Sequence, residues 1–299
     1  MSTSSFKARI VILNYNGEEM LAKCLPSIAE AVRCAKTPTA VTILDNLSID
    51  QSESYVRKNY PEMEFVKAPE NLVLCSYNDY LKTVSEPIAI LLNNDIQVDK
   101  NFIDPMVEKF SGDPRTFLVA PRCHSFDKAN VEAVDARMKI RFGMPWISAR
   151  YPGYEAHTMI PSKTVSSGFG AFSKEKFLEL GGYDRRYLPG IMEDVDLCLK
   201  AQRSGYHLYY EPRSLVYHMG QVSFKKAYTS LRRETIACRN TFLFAWKNFR
   251  GFGFWFRHIL FLPLWMVFSL LRLRPEFPLG LFEALRHGSG HRDILRGIH

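Results

Sequence analysis

Ile10-Val11-Ile12-Leu13-Asn14-Tyr15-Asn16 is a short apolar run that ends in polar side chains, and the chain repeats this pattern twice. The second copy is Val41-Thr42-Ile43-Leu44-Asp45-Asn46, and the third is Ile88-Ala89-Ile90-Leu91-Leu92-Asn93-Asn94-Asp95. Short apolar runs rich in β-branched residues predict buried parallel strands. Ligands bind at the carboxyl ends of such strands in an open α/β sheet. The three polar ends therefore predict one crevice that suits a nucleotide and a divalent metal.

The segments between these runs have the spacing of helices. Residues 18–35 place an apolar residue at every third or fourth position, and shorter helices are predicted over 52–59, 75–84 and 102–110. Alternating strands and helices predict a parallel sheet with right-handed crossovers. Residues 130–161 lose this periodicity, so we expect a loop-rich insertion near the crevice.

The following part of the chain continues the alternation of strands and helices. We expect a strand over 164–172, a helix that Ser173 caps, and a second helix over 195–204. Two separate short strands are predicted over 208–210 and 215–217. Together these elements predict an α/β fold with a mostly parallel, Rossmann-like sheet flanked by helices.

Charge divides the chain into two parts. The first 220 residues carry 26 Lys and Arg against 27 Asp and Glu, whereas residues 221–299 carry 13 against 4. We therefore predict a nucleotide-binding domain over 1–220 and a basic, apolar helical region over 221–299. The polar N-terminal residues lack the pattern of a signal peptide, and the six cysteines include no CxxC pair. Both features are typical of a cytosolic protein with reduced thiols.

The basic residues of the C-terminal region are interleaved with aromatic and aliphatic ones. This mixture favours a membrane surface over a nucleic acid as the partner. The uninterrupted apolar stretch 259–271 is shorter than the ~20 residues that span a bilayer, and Pro263 is expected to interrupt a helix. We expect an amphipathic segment that lies on the membrane or re-enters it. A core helix pair or an oligomer-forming one is the alternative.

The motifs, taken in order, resemble those of glycosyltransferase family 2, the inverting nucleotide-sugar transferases with a GT-A fold. The matching pieces follow the family's order along residues 8–218: 11–17, 25–28, 44–52, 71–78, 91–95, 181–184, 193–197 and His218. The sequence is most similar to the bacterial rhamnosyltransferase-like members that build surface polysaccharides. The resemblance implies a GT-A domain, here with a C-terminal amphipathic region that associates with a membrane.

The resemblance places the donor nucleotide sugar at the strand ends. The residues it assigns to the donor are Leu13, Tyr15, Asp45, Asn71, Asn78, Asn93, Asn94 and Gly168. Tyr15 can stack on a pyrimidine base, and Asp45 can accept hydrogen bonds from the base or ribose. Gly168 would let the backbone approach the sugar closely. Structural roles are the alternatives: Tyr15 can pack a turn, Asp45 can cap one, and Asn71 and Asn78 can cap the following helix.

Asn93-Asn94-Asp95 occupies the position of the family's DXD motif. A diphosphate concentrates negative charge, which a hard divalent cation with oxygen ligands neutralises. Because Asn93 replaces the first acid, Asp95 is the carboxylate that remains, and Asn93 can still bond the ribose. By resemblance, His218 is the second metal ligand. Imidazole suits Mn²⁺ better than Mg²⁺. A purely structural histidine is the alternative.

The pair Glu193-Asp194 is expected to carry the chemistry. Inversion at the anomeric carbon needs a base that deprotonates the attacking hydroxyl. The family assigns this role to the Asp of the pair, here Asp194, with Glu193 and Ser167 near the acceptor or behind the base. The alternative for Asp194 is a carboxylate that only stabilises a helix N-terminus. Asp196 is expected to be a cap or a salt-bridge partner.

The resemblance thus implies an inverting hexosyltransferase that moves a sugar from dTDP-rhamnose or a UDP-sugar to a saccharide hydroxyl. We expect a lipid-linked acceptor such as a polyprenyl-diphosphate saccharide, and a place on the inner face of the cytoplasmic membrane. Arg232, Arg233 and Arg239 could meet the acceptor diphosphate or lipid headgroups. A homo-oligomer is left open.

Two other classes of function remain as alternatives. A nucleotidyltransferase usually carries a basic, Gly-rich loop after the first strand, whereas residues 14–19 here include two glutamates. A non-catalytic nucleotide- or glycan-binding relative is favoured by Asn93. The combined presence of Asp95, Asp194 and His218 favours the enzyme. Nucleic acid is disfavoured as a partner because the basic region is too apolar.

Overall fold

One mixed sheet dominates the computed structural model, which describes residues 8–127, 131–132, 136–149, 160–162, 168–219 and 227–287. Within these residues the sheet has ten strands, and a separate hairpin adds two. The strands are β1 Ala8–Asn14, β2 Thr39–Asp45, β3 Glu64–Lys67, β4 Ile88–Asn93, β5 Ile96–Val98, β6 Thr116–Ser125, β7 Val131–Glu132, β8 Ala136–Arg141, β9 Met144–Ala149, β10 Ile160–Ser162, β11 Gly170–Ser173 and β12 His207–His218.

The sheet order is β10-β12-β6-β11-β4-β1-β2-β3, and most neighbouring strands are parallel. β1 pairs in parallel with both β2 and β4, and β12 pairs in parallel with β6. β11 is antiparallel between β4 and β6. The register sets Asn14 beside Asp45 and Leu13 beside Asn93, so the polar strand ends lie side by side. The predicted fold class, a mostly parallel sheet flanked by helices, is confirmed.

Helices cover both faces of this sheet. They are α1 Glu18–Cys34, α2 Ser52–Asn59, α3 Ser76–Tyr80, α4 Ile103–Gly112, α5 Lys174–Glu179, α6 Glu193–Arg203, α7 Ser230–Asn248, α8 Phe252–Leu271 and α9 Glu276–His287. Successive residues of a strand face opposite sides. Ile10 and Ile12 accordingly pack with Leu21 of α1, whereas Val11 packs with Phe177 of α5 and Leu197 of α6. Burial on both faces explains why these strands read as continuous apolar runs.

Three predicted elements differ from the structure. The helix predicted over 75–84 is a 3-10 turn at Val73–Cys75 followed by the short α3, and the hydroxyl of Thr83 bonds the carbonyl of Tyr80 where the helix would continue. The two strands predicted over 208–217 are one strand, β12, with an irregular register between Glu211 and Leu215. The region predicted to be loop-rich contains the β8–β9 hairpin.

The β8–β9 hairpin was missed because its turn signal is weak in sequence. Its two turn residues, Phe142 and Gly143, both have positive φ, at 47° and 71°. A two-residue hairpin turn of this hand matches the twist of the strands, and it usually carries Asn-Gly or Asp-Gly. Here a phenylalanine takes the first position, where its ring packs against Phe261 and Trp265 of α8.

The C-terminal helices also differ from the sequence-based prediction. Pro263 was expected to interrupt a helix, but α8 runs through it from Phe252 to Leu271. A proline inside a helix removes one backbone hydrogen bond, and contacts elsewhere along the helix can offset that loss. The same occurs at Pro26 in α1. Among the described residues, α8 is the one helix whose length and composition would allow it to cross a membrane.

Helix α7 packs directly against α6. Its residues Phe242, Leu243 and Phe244 share an apolar cluster with Val195 and Leu199 of α6. The charged link between these helices is Asp196, whose carboxylate accepts hydrogen bonds from Tyr187, Lys247 and Asn248 at 2.6–2.9 Å. The expectation that Asp196 is a structural salt-bridge partner is confirmed. The domain boundary expected at residue 220 stays a prediction.

Candidate functional site

A chain of buried polar side chains joins the carboxyl ends of the three central strands. The Asn94 amide donates to Asn14 Oδ1, and the Asn14 amide donates to Asp45 Oδ1, each over 2.8 Å. The second oxygen of Asp45 accepts the backbone N–H of Ser48, also at 2.8 Å. We call Asn94, Asn14, Asp45 and Ser48 the polar ladder. It fixes the edge of the sheet on which the crevice is built.

Gly17 is required by this ladder. A Cβ at Gly17 would lie 2.0 Å from Asn94 Nδ2 and 2.5 Å from Asn14 Oδ1, so any larger residue would displace one of the amides. From sequence, Ser48 was given only a role in the turn after the second strand, and Asn14 and Gly17 were given no separate role. The available signal was a glycine three residues after the polar end of a buried strand.

The predicted donor residues divide into two groups by their contacts. Tyr15 and Asn93 are half-buried at the ends of β1 and β4, and Leu13 lies beneath them in the core. In contrast, Asp45 is only 1% exposed and its oxygens bond within the polar ladder. Asn94 is likewise committed to the ladder. The nucleotide-binding role of these residues stays a prediction.

The remaining predicted donor residues line the turns around the crevice. Asn78 accepts the N–H of Tyr183 at 2.9 Å and donates to its carbonyl at 2.8 Å, so its amide holds the Gly181-Gly182 turn. The side chain of Asn71 accepts the N–H of Val73 at 3.2 Å. Gly168 lies near Leu74 with room for a side chain. Ser167 lies outside the described residues.

Asp95 and His218, the predicted metal ligands, are brought together by the sheet. Asp95 Oδ1 lies 3.4 Å from His218 Nε2, although the two residues are 123 positions apart in sequence. The backbone closes the same junction, because the N–H of Met219 donates to the carbonyl of Asp95 at 3.0 Å. Asp95 Oδ1 is buried and accepts no hydrogen bond from the described residues. A buried carboxylate oxygen in this state is costly unless a ligand compensates it.

This pair fits a divalent cation that also binds a diphosphate. It offers one carboxylate and one imidazole, which together suit Mn²⁺. Across the residues that the structure describes, no group of three or more His, Cys, Asp or Glu side chains is placed to hold a metal. Two protein ligands leave coordination positions for phosphate oxygens, which is the arrangement that a substrate-bridging cation requires.

Glu193 and Asp194 form the first turn of α6, immediately after a strained loop. Ile191 and Met192 have φ angles of 76° and 87°, in a region that non-glycine residues seldom adopt. Asp194 Oδ1 accepts the backbone N–H of Val195 at 2.8 Å, which fixes its side chain at the helix N-terminus. Such strain is typical of segments whose position matters for function.

Glu193 is a buried acid with an unusual proton affinity. Burial, together with the negative charge of the neighbouring Asp194, raises the pKa of its carboxyl from the ordinary 4.5 to about 8. Its Oε2 atom is buried without a hydrogen-bond partner among the described residues. Both effects favour the protonated form of Glu193.

The three arginines expected to meet an acceptor have partners within the protein. Arg239 is 4% exposed, bonds Asn240, and donates to the carbonyl of Leu188, so its availability to a ligand was predicted wrongly. The error arose because sequence alone predicts a basic residue to lie on the surface, whereas the hydrophobic surroundings of α7 bury Arg239. Arg232 pairs with Glu283, and Arg233 donates to the carbonyl of Tyr228.

Comparison with known proteins agrees with this geometry. The sequence profile described as Glycosyl transferase family 2 matches residues 9–181. The chain belongs to glycosyl transferase family 2. The matched residues include the polar ladder and Asp95, whereas Glu193, Asp194 and His218 follow after them.

Individual relatives of the family are distant. The putative polypeptide N-acetylgalactosaminyltransferase 10 of Drosophila melanogaster is 22% identical over 183 residues, which cover 58% of this chain and 29% of that protein. The structure of GalNAc-T7 with UDP, GalNAc and Mn²⁺ aligns with a TM-score of 0.58 at 17% identity, over 80% of this chain and 48% of the other. The structure of S. aureus TarS residues 1–349 aligns at 0.52 and 12% identity, over 78% and 70%.

These likenesses establish the fold, which is that of GT-A glycosyltransferases. The chain spans less than a third of the Drosophila relative and about half of GalNAc-T7. Activity, donor and acceptor must therefore be argued from the site itself.

The proton affinity of Glu193 gives a prediction about stability. Because the folded state holds the proton more tightly than the unfolded state, the contribution of Glu193 is greatest below about pH 4.5 and is lost as the pH rises toward 8. Glu193→Gln removes this titration. As the pH rises from 5 to 8, we expect the free energy of unfolding of the wild type to fall relative to that of the variant. Urea denaturation measures both.

The matched control is Glu62→Gln, at an exposed position. It should track the wild type at each pH. Parallel curves for Glu193→Gln and the wild type would show that Glu193 is ionised in the folded protein near neutral pH.

Proposed function

We propose that this chain transfers a sugar from a nucleoside-diphosphate donor to a hydroxyl of a saccharide acceptor, with inversion at the anomeric carbon. The donor is dTDP-rhamnose or a UDP-sugar. The observation that carries the proposal is the Asp95–His218 pair, 3.4 Å apart, with a buried carboxylate oxygen that accepts no hydrogen bond from the residues that the structure describes. It lies at the carboxyl edge of the sheet, where an α/β fold binds its ligands.

The chain's residues hold the donor at this edge. Tyr15, half-buried at the end of β1, is placed to stack on the base, and Asn93 is placed to bond the ribose. Asp45 contributes by fixing the turn at Ser48 through the polar ladder. Asp95 and His218 would hold a divalent cation, which would supply positive charge to the leaving diphosphate. The solved structure of GalNAc-T7 with UDP and Mn²⁺ supports this view of the donor site.

Asp194 is the base in this proposal. As the acceptor oxygen forms its bond to the anomeric carbon, the bond to the diphosphate breaks and the acceptor proton moves to Asp194. The hydrogen bond from the N–H of Val195 orients the carboxylate. Because burial favours the protonated form of the neighbouring Glu193, we assign the negative charge of the pair to Asp194.

The test of the base is Asp194→Asn, which keeps size and removes basicity. We expect the variant to release nucleoside diphosphate from the sugar-nucleotide donor about 10²–10⁴-fold more slowly than the wild type does. Binding of UDP or dTDP with Mn²⁺, measured by calorimetry, should be unchanged because the donor contacts remain.

A suitable control is Asp99→Asn, in the turn after β5. It should turn over at the wild-type rate. Normal turnover by Asp194→Asn would contradict the assignment of the base. A wild-type protein that binds nucleotide but releases none from any sugar donor would favour the non-catalytic relative.

We also propose that the C-terminal helices hold the enzyme on a membrane. Two of the three polar residues of α8 face the protein: His258 is 3% exposed and bonds Trp246 and Gly143, and the hydroxyl of Ser269 bonds the carbonyl of Arg274. The third, Arg257, is exposed near the start of the helix. The outward side is apolar, with these exposed residues on α8: Phe252, Trp255, Phe256, Ile259, Leu260, Leu264, Val267, Phe268, Leu270 and Leu271. A helix with polar residues inside and apolar residues outside is the reverse of the arrangement in soluble proteins.

The outward surface of α8 suits a lipid bilayer by size and charge. Its 20 residues extend about 30 Å at ~1.5 Å per residue. Arg250, Arg272 and Arg274 flank its two ends, where anionic headgroups would lie. A sugar-transfer site beside such a surface favours a lipid-linked acceptor, such as a polyprenyl-diphosphate saccharide, used in surface polysaccharide synthesis at the inner face of the cytoplasmic membrane.

The membrane proposal is tested with charges on the outward side of α8. In the full chain, Ile259→Glu combined with Leu264→Glu should reduce co-sedimentation with vesicles that contain anionic phosphatidylglycerol by at least about tenfold, since buried charges are costly in lipid. Truncation is unsuitable because α9 packs on α7. Ile49→Glu, at a residue that is 91% exposed in a loop, is the control.

Sedimentation velocity distinguishes a membrane from a second copy of the chain as the partner of this surface. Vesicle binding lost in a variant of unchanged mass supports the membrane. Undiminished vesicle binding contradicts it. A wild-type dimer that the two glutamates dissociate, without any vesicle binding, would identify a second copy as the partner.

A further inference from the structure

Two adjacent residues of α7 hold the loop that leads into the catalytic pair. Asn240 Nδ2 lies 2.6, 2.7 and 2.9 Å from the carbonyl oxygens of Tyr187, Gly190 and Ile191. Arg239 donates to the carbonyl of Leu188. Four of the five carbonyls between 187 and 191 thus face donors from one helix, about 50 residues later in sequence.

These donors are buried with the loop. Asn240 is 0% exposed, and its own Oδ1 accepts Arg239 Nε at 2.9 Å. Burial lowers the pKa of Arg239 to about 10, although the carboxylate of Glu283, 3.9 Å from Arg239 Nη1, acts in the opposite direction. Burying an arginine and an asparagine costs free energy unless every polar atom is used. Here the Asn240 amide nitrogen and Arg239 Nη2 bond the backbone of the loop.

The loop needs this support because its backbone is strained. Gly190, Ile191 and Met192 have φ angles of 144°, 76° and 87°, and the last two are side-chain-bearing residues in a disfavoured region. Such a conformation persists only where its surroundings impose it. The next residues in the chain are Glu193 and Asp194.

Helix α7 also holds the other side of the catalytic pair. Lys247 Nζ and Asn248 Nδ2 each lie 2.6 Å from the carboxylate of Asp196, two residues after Asp194. Lys247 follows Asn240 by seven residues, which is two helical turns and therefore the same face of α7. Side chains on one face of α7 thus contact the chain both before and after Asp194.

We infer that Asn240, with Arg239, is a positioning residue that sets the place of Asp194 for proton abstraction. The inference rests on the proposed function for its chemistry. The C-terminal region would then complete the active site, although the residues proposed to bind the donor come earlier in the chain. The amide is specific to this task, because an aspartate of the same size would set oxygen atoms against the loop carbonyls.

The test is Asn240→Asp in the full chain, compared with Thr235→Val. Thr235 is also buried on α7, but its hydroxyl bonds the carbonyl of Leu231 in its own helix. We expect Asn240→Asp to lower kcat by at least about 30-fold, with the KM of the sugar nucleotide and the affinity for UDP or dTDP with Mn²⁺ within about twofold. Thr235→Val should leave all of these near wild type.

Hydrogen exchange over 187–194 gives a readout that does not depend on activity. It should quicken in Asn240→Asp and stay unchanged in Thr235→Val. Arg239→Lys keeps the charge but not the fork of donors, and it should give a smaller loss of kcat with the same pattern. It also tests the inference if Asn240→Asp fails to fold.

Wild-type kcat and exchange in Asn240→Asp or Arg239→Lys would overturn the inference. Equal losses of kcat and nucleotide affinity would also overturn it, since they would indicate general disruption. A wild type without turnover would instead contradict the proposed function, and the exchange data would still decide whether α7 holds the loop.

Discussion

The structure depends on the hydrogen bonds that join Asn94, Asn14 and Asp45 across the ends of three parallel strands. Buried amides and carboxylates must pair, and here each finds its partner on the neighbouring strand. Gly17 leaves the space that these amides occupy. With the strand ends fixed, Asp95 extends from β4 toward His218 at the end of β12, and the crevice has a defined edge.

The proposed catalytic pair is positioned by a different set of contacts. Glu193 and Asp194 do not lie on a strand end but follow a strained loop at the start of α6. The loop is held by Asn240 and Arg239, which belong to the C-terminal region and not to the sheet. The same region presents its apolar outer surface through α8. The site, its support and its proposed membrane surface are therefore parts of one packed unit.

Much of the donor edge could be predicted from sequence because its signals are local. Apolar runs that end in polar residues located β1, β2 and β4 to within two residues, and the order of motifs placed Asp95 with His218. The polar ladder could not be predicted, since a bond between amides 80 residues apart leaves no periodic trace. The role of Asn240 could not be predicted for the same reason, since its partners lie about 50 residues earlier in sequence. The helix break predicted at Pro263 was wrong, because α8 continues through this residue.

The central claim is that Asp95 and His218 bind the donor diphosphate through a divalent cation. Calorimetric titration of UDP and dTDP into the wild type and into Asp95→Asn, with Mn²⁺ and then with EDTA, tests it most directly. The account predicts Mn²⁺-dependent binding of one nucleotide, weakened at least about tenfold in Asp95→Asn, because the amide cannot supply the anionic ligand. Equal affinity in EDTA, or in Asp95→Asn with Mn²⁺, would contradict it.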